Sequence, residues 1–153
     1  MDRSSVYLSI GSNNGDRRAL IGRVVAALSM LPGVTCARTS DYYKSEAWGF
    51  ESENEFLNIA MVLHYEREVE WSVDEAEGLL DLIQGIERSI SRVPHRNADG
   101  SYRDREIDID IIAIDDQAIS TPRLTVPHPL ASQRPFVTVP LSQLKQNVRG
   151  LTS

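Results

Sequence analysis

SVDEAEGLLDLIQGIERSI, residues 72–90, is the stretch from which the fold can be read. Ser72 followed three positions later by Glu75 forms a capping box, in which each side chain takes a backbone N–H that the first helical turn leaves without a partner. Val73, Ala76, Leu79, Leu80, Ile83, Ile86 and Ile90 then recur at helical spacing, so the segment predicts an amphipathic helix with one apolar stripe. Strand-like runs flank it, Phe56 to Tyr65 before and Glu106 to Ile114 after.

Working back toward the start, VYLSI at 6–10 is rich in strand formers and ends at Gly11, with the turn GSNNG at 11–15 behind it. A helix follows, capped by Asn14 or Asp16, carrying Leu20, Val24, Ala27, Leu28 and Leu31 at helical spacing and stopped by Pro32-Gly33. Val34 to Tyr43 predicts another strand. The order strand, helix, strand, strand, helix, strand belongs to the α/β (α+β) class as a ferredoxin-like βαββαβ sandwich, a mostly antiparallel sheet with helices packed on it. Beyond the last strand, TPRLTVPHPLASQRPFVTVPL at 121–141 is punctuated by prolines and predicts only short elements. No repeat or linker divides the 153 residues, which read as one domain spanning 1–153 and able to bury roughly 68–70% of the unfolded surface.

Composition narrows the function classes. A net charge of −6 excludes the broad cationic surface that nucleic-acid binding needs. The longest apolar run, LNIAMVL at 57–63, is far short of the ~20 residues of a membrane span, and the start of the chain lacks a leader pattern, so a cytoplasmic protein is expected. Cys36 is the only cysteine, which excludes an internal disulfide and a cysteine metal cluster. With no heptad pattern and no large apolar surface stripe, a monomer is expected.

The chemistry concentrates in REIDIDI, residues 105–111. In a strand Glu106, Asp108 and Asp110 share one face and Ile107, Ile109 and Ile111 the other, with same-face neighbours about 6.6 Å apart. Such carboxylates repel unless neutralised. One reading is a solvated acidic face; the other is that Asp108 and Asp110 hold hard divalent cations, which Mg²⁺ takes from one or two carboxylates plus substrate phosphates. Arg92, His95, Arg96, Arg103 and Arg105 stand against only Asp99 and Asp104 in the preceding segment, so a polyphosphate fits between cations and carboxylates. GSNNGD at 11–16 lacks the lysine and spacing of a phosphate-cradling glycine loop, so a nucleotide must be held by other means.

YLSIGSN at 7–13, FLNIA at 56–60, REIDIDI at 105–111 and RLTVPHPLASQRPF at 123–136, in this order, resemble the 6-hydroxymethyl-7,8-dihydropterin pyrophosphokinases of folate biosynthesis. The resemblance implies a cytoplasmic ferredoxin-like enzyme with two Mg²⁺ ions. It would transfer a diphosphoryl group from ATP to the hydroxymethyl oxygen of the reduced pterin and release AMP. Asp108 and Asp110 match the metal-binding aspartates, Arg92 and Arg105 the arginines that grip the polyphosphate, His128 the histidine that contacts it, and Arg134 a further basic residue near the nucleotide. Arg92, Arg105, Asp108 and Asp110 are thereby the catalytic set. Phe56 and Phe136 match the aromatic pair that sandwiches the pterin, Asn58 the asparagine at its polar edge, Ser45 the segment that completes the pocket, and Tyr102 the aromatic of the closing loop. Glu87 matches a position near the nucleotide, with a helix-surface ion pair as its alternative; Trp48 has no family match and is a candidate cover for the pterin from its place in the 45–55 loop. The polar loops 45–55 and 91–103 read as segments that move on binding. Arg103-Asp104 replaces the family's usual Gly-Pro pair and Pro129 follows His128 where an aromatic often occurs. These departures motivate the alternative of a non-catalytic nucleotide- and Mg²⁺-binding regulatory module. The partners implied are small molecules, ATP and the reduced pterin.

Overall fold

A computed structural model of the chain describes residues 2–13, 16–45, 56–90 and 107–146. In chain order the elements are β1 (Asp2–Ser12), α1 (Arg17–Ser29), β2 (Val34–Thr39), β3 (Tyr43–Ser45), β4 (Phe56–Arg67), α2 (Val73–Ile90) and β5 (Asp108–Ile114). A short hairpin, β6 (Ile119–Ser120) and β7 (Thr125–Val126), a 3-10 turn at Ala131–Gln133 and α3 (Pro135–Gln146) follow. The architecture is α+β with an antiparallel-paired sheet and, among the described residues, three α-helices.

The sheet runs in the order β2-β4-β1-β5, and β3 pairs with β4 beyond the end of β2. Because β1 is antiparallel to both β4 and β5, and β4 is antiparallel to β2, β1 runs parallel to β2 and β4 parallel to β5. Each parallel pair is joined through one helix, so two βαβ units interleave in one sheet.

Alternation decides the layers. Val6, Leu8 and Ile10 of β1, Leu57, Ile59, Met61 and Leu63 of β4, and Ile107, Ile109 and Ile111 turn to one face and pack on Ile21, Val24 and Leu28 of α1 and Ala76, Leu79 and Ile83 of α2. Most of these side chains are essentially inaccessible, so truncating any one of the large ones to alanine is expected to cost about 2–5 kcal/mol. The opposite face is partly covered by α3, whose Leu141 and Leu144 pack on Tyr7, Ala60 and Val62.

Local chemistry explains the element ends. The capping box forms as expected: Glu75 N–H donates to Ser72 Oγ at 3.0 Å, and Ser72 N–H donates to Glu75 Oε1 at 2.9 Å. Asp16 caps α1, its Oδ1 accepting from Ala19 N at 3.2 Å, and Asn14 lies outside the described residues. The single strand expected over Val34 to Tyr43 is two, because Ser40 Oγ accepts the Ala60 N–H at 2.9 Å and puts a side chain where the ladder would continue. β1 starts at Asp2, ahead of the apolar run, because Ser4 and Ser5 find partners elsewhere in the chain.

α3 corrects the expectation of only short elements after the last strand. Pro135 occupies the first helical position, where a missing N–H is harmless, and the Arg134 carbonyl accepts from both Val137 N and Thr138 N at 2.9 Å. Pro140 lies inside the helix and is tolerated there, its ring buried.

The end of the sheet where β1 begins is tied by Trp71. Its Nε1–H donates to Ser4 Oγ at 2.8 Å, and Ser4 Oγ donates to Asp115 Oδ2 at 2.7 Å. Tyr65 meets the indole edge-on at 5.0 Å and Arg67 lies over it at 4.4 Å. Gln117 brackets the Trp71 backbone, accepting from its N–H at 2.8 Å and donating to its carbonyl at 3.0 Å.

Candidate active site

β5 fixes the carboxylates. Ile107, Ile109 and Ile111 are 0%, 5% and 4% exposed, which forces Asp108 and Asp110, both half-buried, onto the other face. Asp108 lies opposite Gly11 and Asp110 opposite Ser9 of β1. The alternation then breaks, since Leu8 pairs with Ile111 and Tyr7 with Ala113, so Ile112 is an extra residue and Ile114 returns to the core beside Val6. The sequence Ile111-Ile112 is the local mark of this bulge.

Two outside groups hold β5. Glu87 of α2 accepts the Ile109 N–H on Oε2 at 2.7 Å, and the His128 N–H donates to the Ile112 carbonyl at 2.8 Å. The His128 ring is oriented from within its own loop, because Leu130 N–H donates to Nδ1 at 3.2 Å and leaves the ring proton on Nε2. Burial holds this imidazole below its ordinary pKa, the Arg134 guanidinium pushes the same way, and the Asp108 carboxylate opposes them. His128 is therefore a neutral hydrogen-bond donor near neutral pH.

A cavity of about 290 Å³ lies between α2, β5 and the β6–β7 hairpin, lined by Glu87, Asp108, Asp110 and His128 together with Gln84, Arg123 and Thr125. The structure thus gathers four of the residues singled out in the sequence around one space. Gln84, Arg123 and Thr125 were not singled out. Gln84 is one helical turn before Glu87, and Arg123 and Thr125 stand in the same RLTVPH run as His128, so spacing alone was an available signal. Arg123 bonds to Asp81 and reaches Gln84 Oε1 at 3.5 Å, while Thr121 Oγ1 donates to Glu77 Oε2 at 2.7 Å, so the hairpin is fastened along α2.

The other half of the constellation lies across β1. Asn58 faces Gly11 on β4, is 2% exposed, and donates through Nδ2 to the Tyr43 carbonyl at 3.0 Å and to Ser45 Oγ at 2.9 Å. Its amide hydrogens are thereby committed within the protein, and Oδ1 is its acceptor toward anything else. Phe56, 8% exposed, precedes it by two on the same face. Because Gly11 pairs with Asn58 on one side and Asp108 on the other, the two groups stand two strand spacings apart, about 10 Å. Half-buried Phe136 opens α3 with Arg134 5.7 Å from its ring centre. Arg92, Tyr102, Arg105, Glu106 and Trp48, and the loops 45–55 and 91–103 apart from Ser45 itself, lie outside the described residues. Trp71 is remote from this constellation, at the opposite end of β1.

Residues 7–146 match the family described as 7,8-dihydro-6-hydroxymethylpterin-pyrophosphokinase (HPPK). Among curated proteins, the chain is 39% identical over 140 residues to the 2-amino-4-hydroxy-6-hydroxymethyldihydropteridine pyrophosphokinase of Porphyromonas gingivalis, covering 91% of this chain and 89% of that protein. It is 34% identical to the protein of the same name from Bacillus subtilis, over 93% of this chain and 78% of the relative. The Aquifex aeolicus protein of that name is also 34% identical, over 95% and 82%. With nearly the whole chain matched by the family and by these relatives, this protein belongs to the 7,8-dihydro-6-hydroxymethylpterin-pyrophosphokinase family.

Proposed function

We propose that this chain transfers the terminal diphosphoryl group of ATP to the hydroxymethyl oxygen of 6-hydroxymethyl-7,8-dihydropterin, in the biosynthesis of folate. The observation that carries this reading is the row Asp108, Gly11, Asn58 across three neighbouring strands, which sets a phosphate-side carboxylate and a ring-side amide about 10 Å apart on one face. In the reaction the hydroxymethyl oxygen forms a bond to the β-phosphorus, the bond from that phosphorus to the oxygen bridging the α-phosphate breaks, and AMP leaves as one proton is released. Such a transfer asks little covalent chemistry of the protein, and positioning with charge neutralisation dominates.

The parts of the described residues follow from their surroundings, and those of Arg92, Arg105, Tyr102 and Trp48 rest on the sequence reading. His128, neutral with its proton on Nε2, donates to a phosphate oxygen at the cavity wall. Glu87 holds β5 through Ile109 and so keeps Asp108 and Asp110 aimed. Phe56 and Phe136 take the ring faces, and Asn58 Oδ1, with Ser45 behind the amide, takes a ring N–H. Arg92 and Arg105 grip the polyphosphate, Arg134 lies near the nucleotide, and Tyr102 and Trp48 close over the substrates.

Among the described residues no three His, Cys, Asp or Glu side chains converge as a metal cage. Two half-buried carboxylates on one strand face instead suit Mg²⁺, which completes its shell with phosphate oxygens and water. Asp108 and Asp110 would hold it, as two ions by the family resemblance, and its contribution when bound is to neutralise polyphosphate charge. We read the interleaved βαβ units as the ferredoxin-like arrangement and the chain as one domain, a monomer acting on small molecules in the cytoplasm. Among the described residues no helix is long and apolar enough to cross a membrane.

The test is incubation with ATP, Mg²⁺ and 6-hydroxymethyl-7,8-dihydropterin, with AMP and ADP quantified separately. AMP formed in step with pterin diphosphate is expected. ADP, or no nucleotide product, overturns the reading, and nucleotide binding without product leaves the regulatory module in its place.

A further inference from the structure

Gly11 sits at the middle of the site and takes no part in the roles assigned above. Its N–H and carbonyl belong to the central strand, flanked by Asn58 on β4 and Asp108 on β5, so its backbone is held from both sides. Among glycines of the described residues the left-handed φ belongs to Gly33, at +87°, so the reason for a glycine at position 11 is space and not backbone conformation. A Cβ at Gly11 would lie 2.9 Å from Asn58 Oδ1 and 3.4 Å from Phe56 Cδ1. The amide and the aromatic ring therefore rest directly on the β1 backbone.

We infer that Gly11 is a positioning residue for ring recognition: the missing side chain lets the Asn58 amide and the Phe56 ring settle against β1 in the orientation that receives the flat heterocycle. This rests on the reading of Asn58 and Phe56 as the ring-binding pair. A methyl group at Gly11 requires Asn58 Oδ1 to move about 0.5 Å to reach ordinary contact. Asn58 has little freedom to do so. It is 2% exposed, and its Nδ2 is fixed at both hydrogens by the Tyr43 carbonyl and Ser45 Oγ. The amide must then either strain those two bonds or turn its acceptor away from the ligand. The carboxylate side of the site is spared, because the three atoms nearest the added methyl group, out to 3.9 Å, belong to Asn58 and Phe56 and not to Asp108 or Asp110.

The experiment is a double-mutant cycle on the full chain with Gly11→Ala, Asn58→Ala and the pair, read as KM for 6-hydroxymethyl-7,8-dihydropterin, KM for ATP, and kcat. Gly11→Ala is expected to raise the pterin KM about tenfold, the scale of one misaligned hydrogen bond, with the ATP KM and kcat within about twofold. In the Asn58→Ala background, where Oδ1 is gone, the same substitution is expected to add less than about threefold, since residues that act through one another are not additive. Full additivity in the cycle, equal loss toward both substrates, or an unchanged pterin KM would overturn the inference. If Gly11→Ala alone does not fold, the double variant must fold, because its nearest neighbour becomes Phe56 at 3.4 Å; failure of both overturns the inference as well. A wild-type chain that releases no AMP overturns the proposed function instead, which separates the two failures.

Discussion

Replacing Trp71 with phenylalanine separates what holds the sheet from what performs the chemistry. The indole is 8% exposed, its Nε1–H donates to buried Ser4 Oγ at 2.8 Å, and Arg67 and Tyr65 flank its ring. Phenylalanine keeps a flat ring against Tyr65 and leaves the Gln117 bonds to the backbone of residue 71 intact. It removes one hydrogen bond, worth about 1 kcal/mol net, and about two carbon-sized groups of packing at ~0.8 kcal/mol each. The total is about 2–3 kcal/mol. In a domain of this size each kcal/mol moves Tm by about 2–4 °C, so a fall of about 4–12 °C is expected in a thermal melt followed by circular dichroism. Ser4 and Gly11 are seven strand residues apart, roughly 23 Å, so AMP release at 25 °C should stay within about twofold of wild type. A melt lowered by less than about 2 °C would refute the reasoning about the network. A large loss of turnover in a chain folded as stably as wild type would refute the separation of the two ends.

Three further outcomes are expected. Asp110→Asn keeps shape but removes a charge from the carboxylate pair, so AMP release should fall at least about a hundredfold while Tm changes by under about 3 °C; near-normal turnover at raised Mg²⁺ would remove Asp110 from the reacting charges. Glu87→Ala deprives the Ile109 N–H of a charged acceptor and should cost about 2 kcal/mol in urea unfolding, whereas Glu87→Gln, which retains an acceptor, should cost about half as much; equal stabilities would show that the bond does not hold β5. His64 is depressed by burial, then by Arg3 and Arg38, and His128 by burial and Arg134, so the unfolded chain protonates first as acid is added. Stability from both is complete above pH about 6.5 and is lost as pH falls from there toward their folded values. The urea midpoint should therefore drop between pH 7.5 and 5.5, and His64→Asn should shrink the drop; a wild-type midpoint equal at the two values would sink this account.

What the sequence disclosed depended on how local the cause was. The capping box at Ser72 and Glu75 and the Ile107, Ile109, Ile111 face are local patterns, and both appear in the structure as read. The early start of β1 was hidden because the partners of Ser4 and Ser5 are Trp71, Asp115 and His64, between 59 and 111 residues away. α3 was masked by its own prolines, which argue against a helix until Pro135 is seen at its first position and its Leu141 and Leu144 on the sheet. At the site, Asp108, Asp110 and His128 were legible from motif and resemblance, whereas Arg123 meets Gln84 at the cavity because its hairpin is fastened to α2, some 40 residues before it in the chain. Asn58 was legible as a polar residue on a strand, but the spending of its amide hydrogens on Tyr43 and Ser45 needed the β3–β4 pairing.

Among the described residues β5 lies at the margin of the sheet, where an unpaired row of N–H and C=O groups invites another strand and, with it, association between molecules. Here the two outward groups that matter are already taken, Ile109 N–H by the Glu87 carboxylate and Ile112 C=O by the His128 N–H, and the intervening bulge spoils a regular ladder. The residues that aim the carboxylates thus also blunt the margin, so a variant that loosens Glu87 or the His128 loop exposes a sticky edge as well as a weakened site, and its first visible defect at high concentration would be clumping.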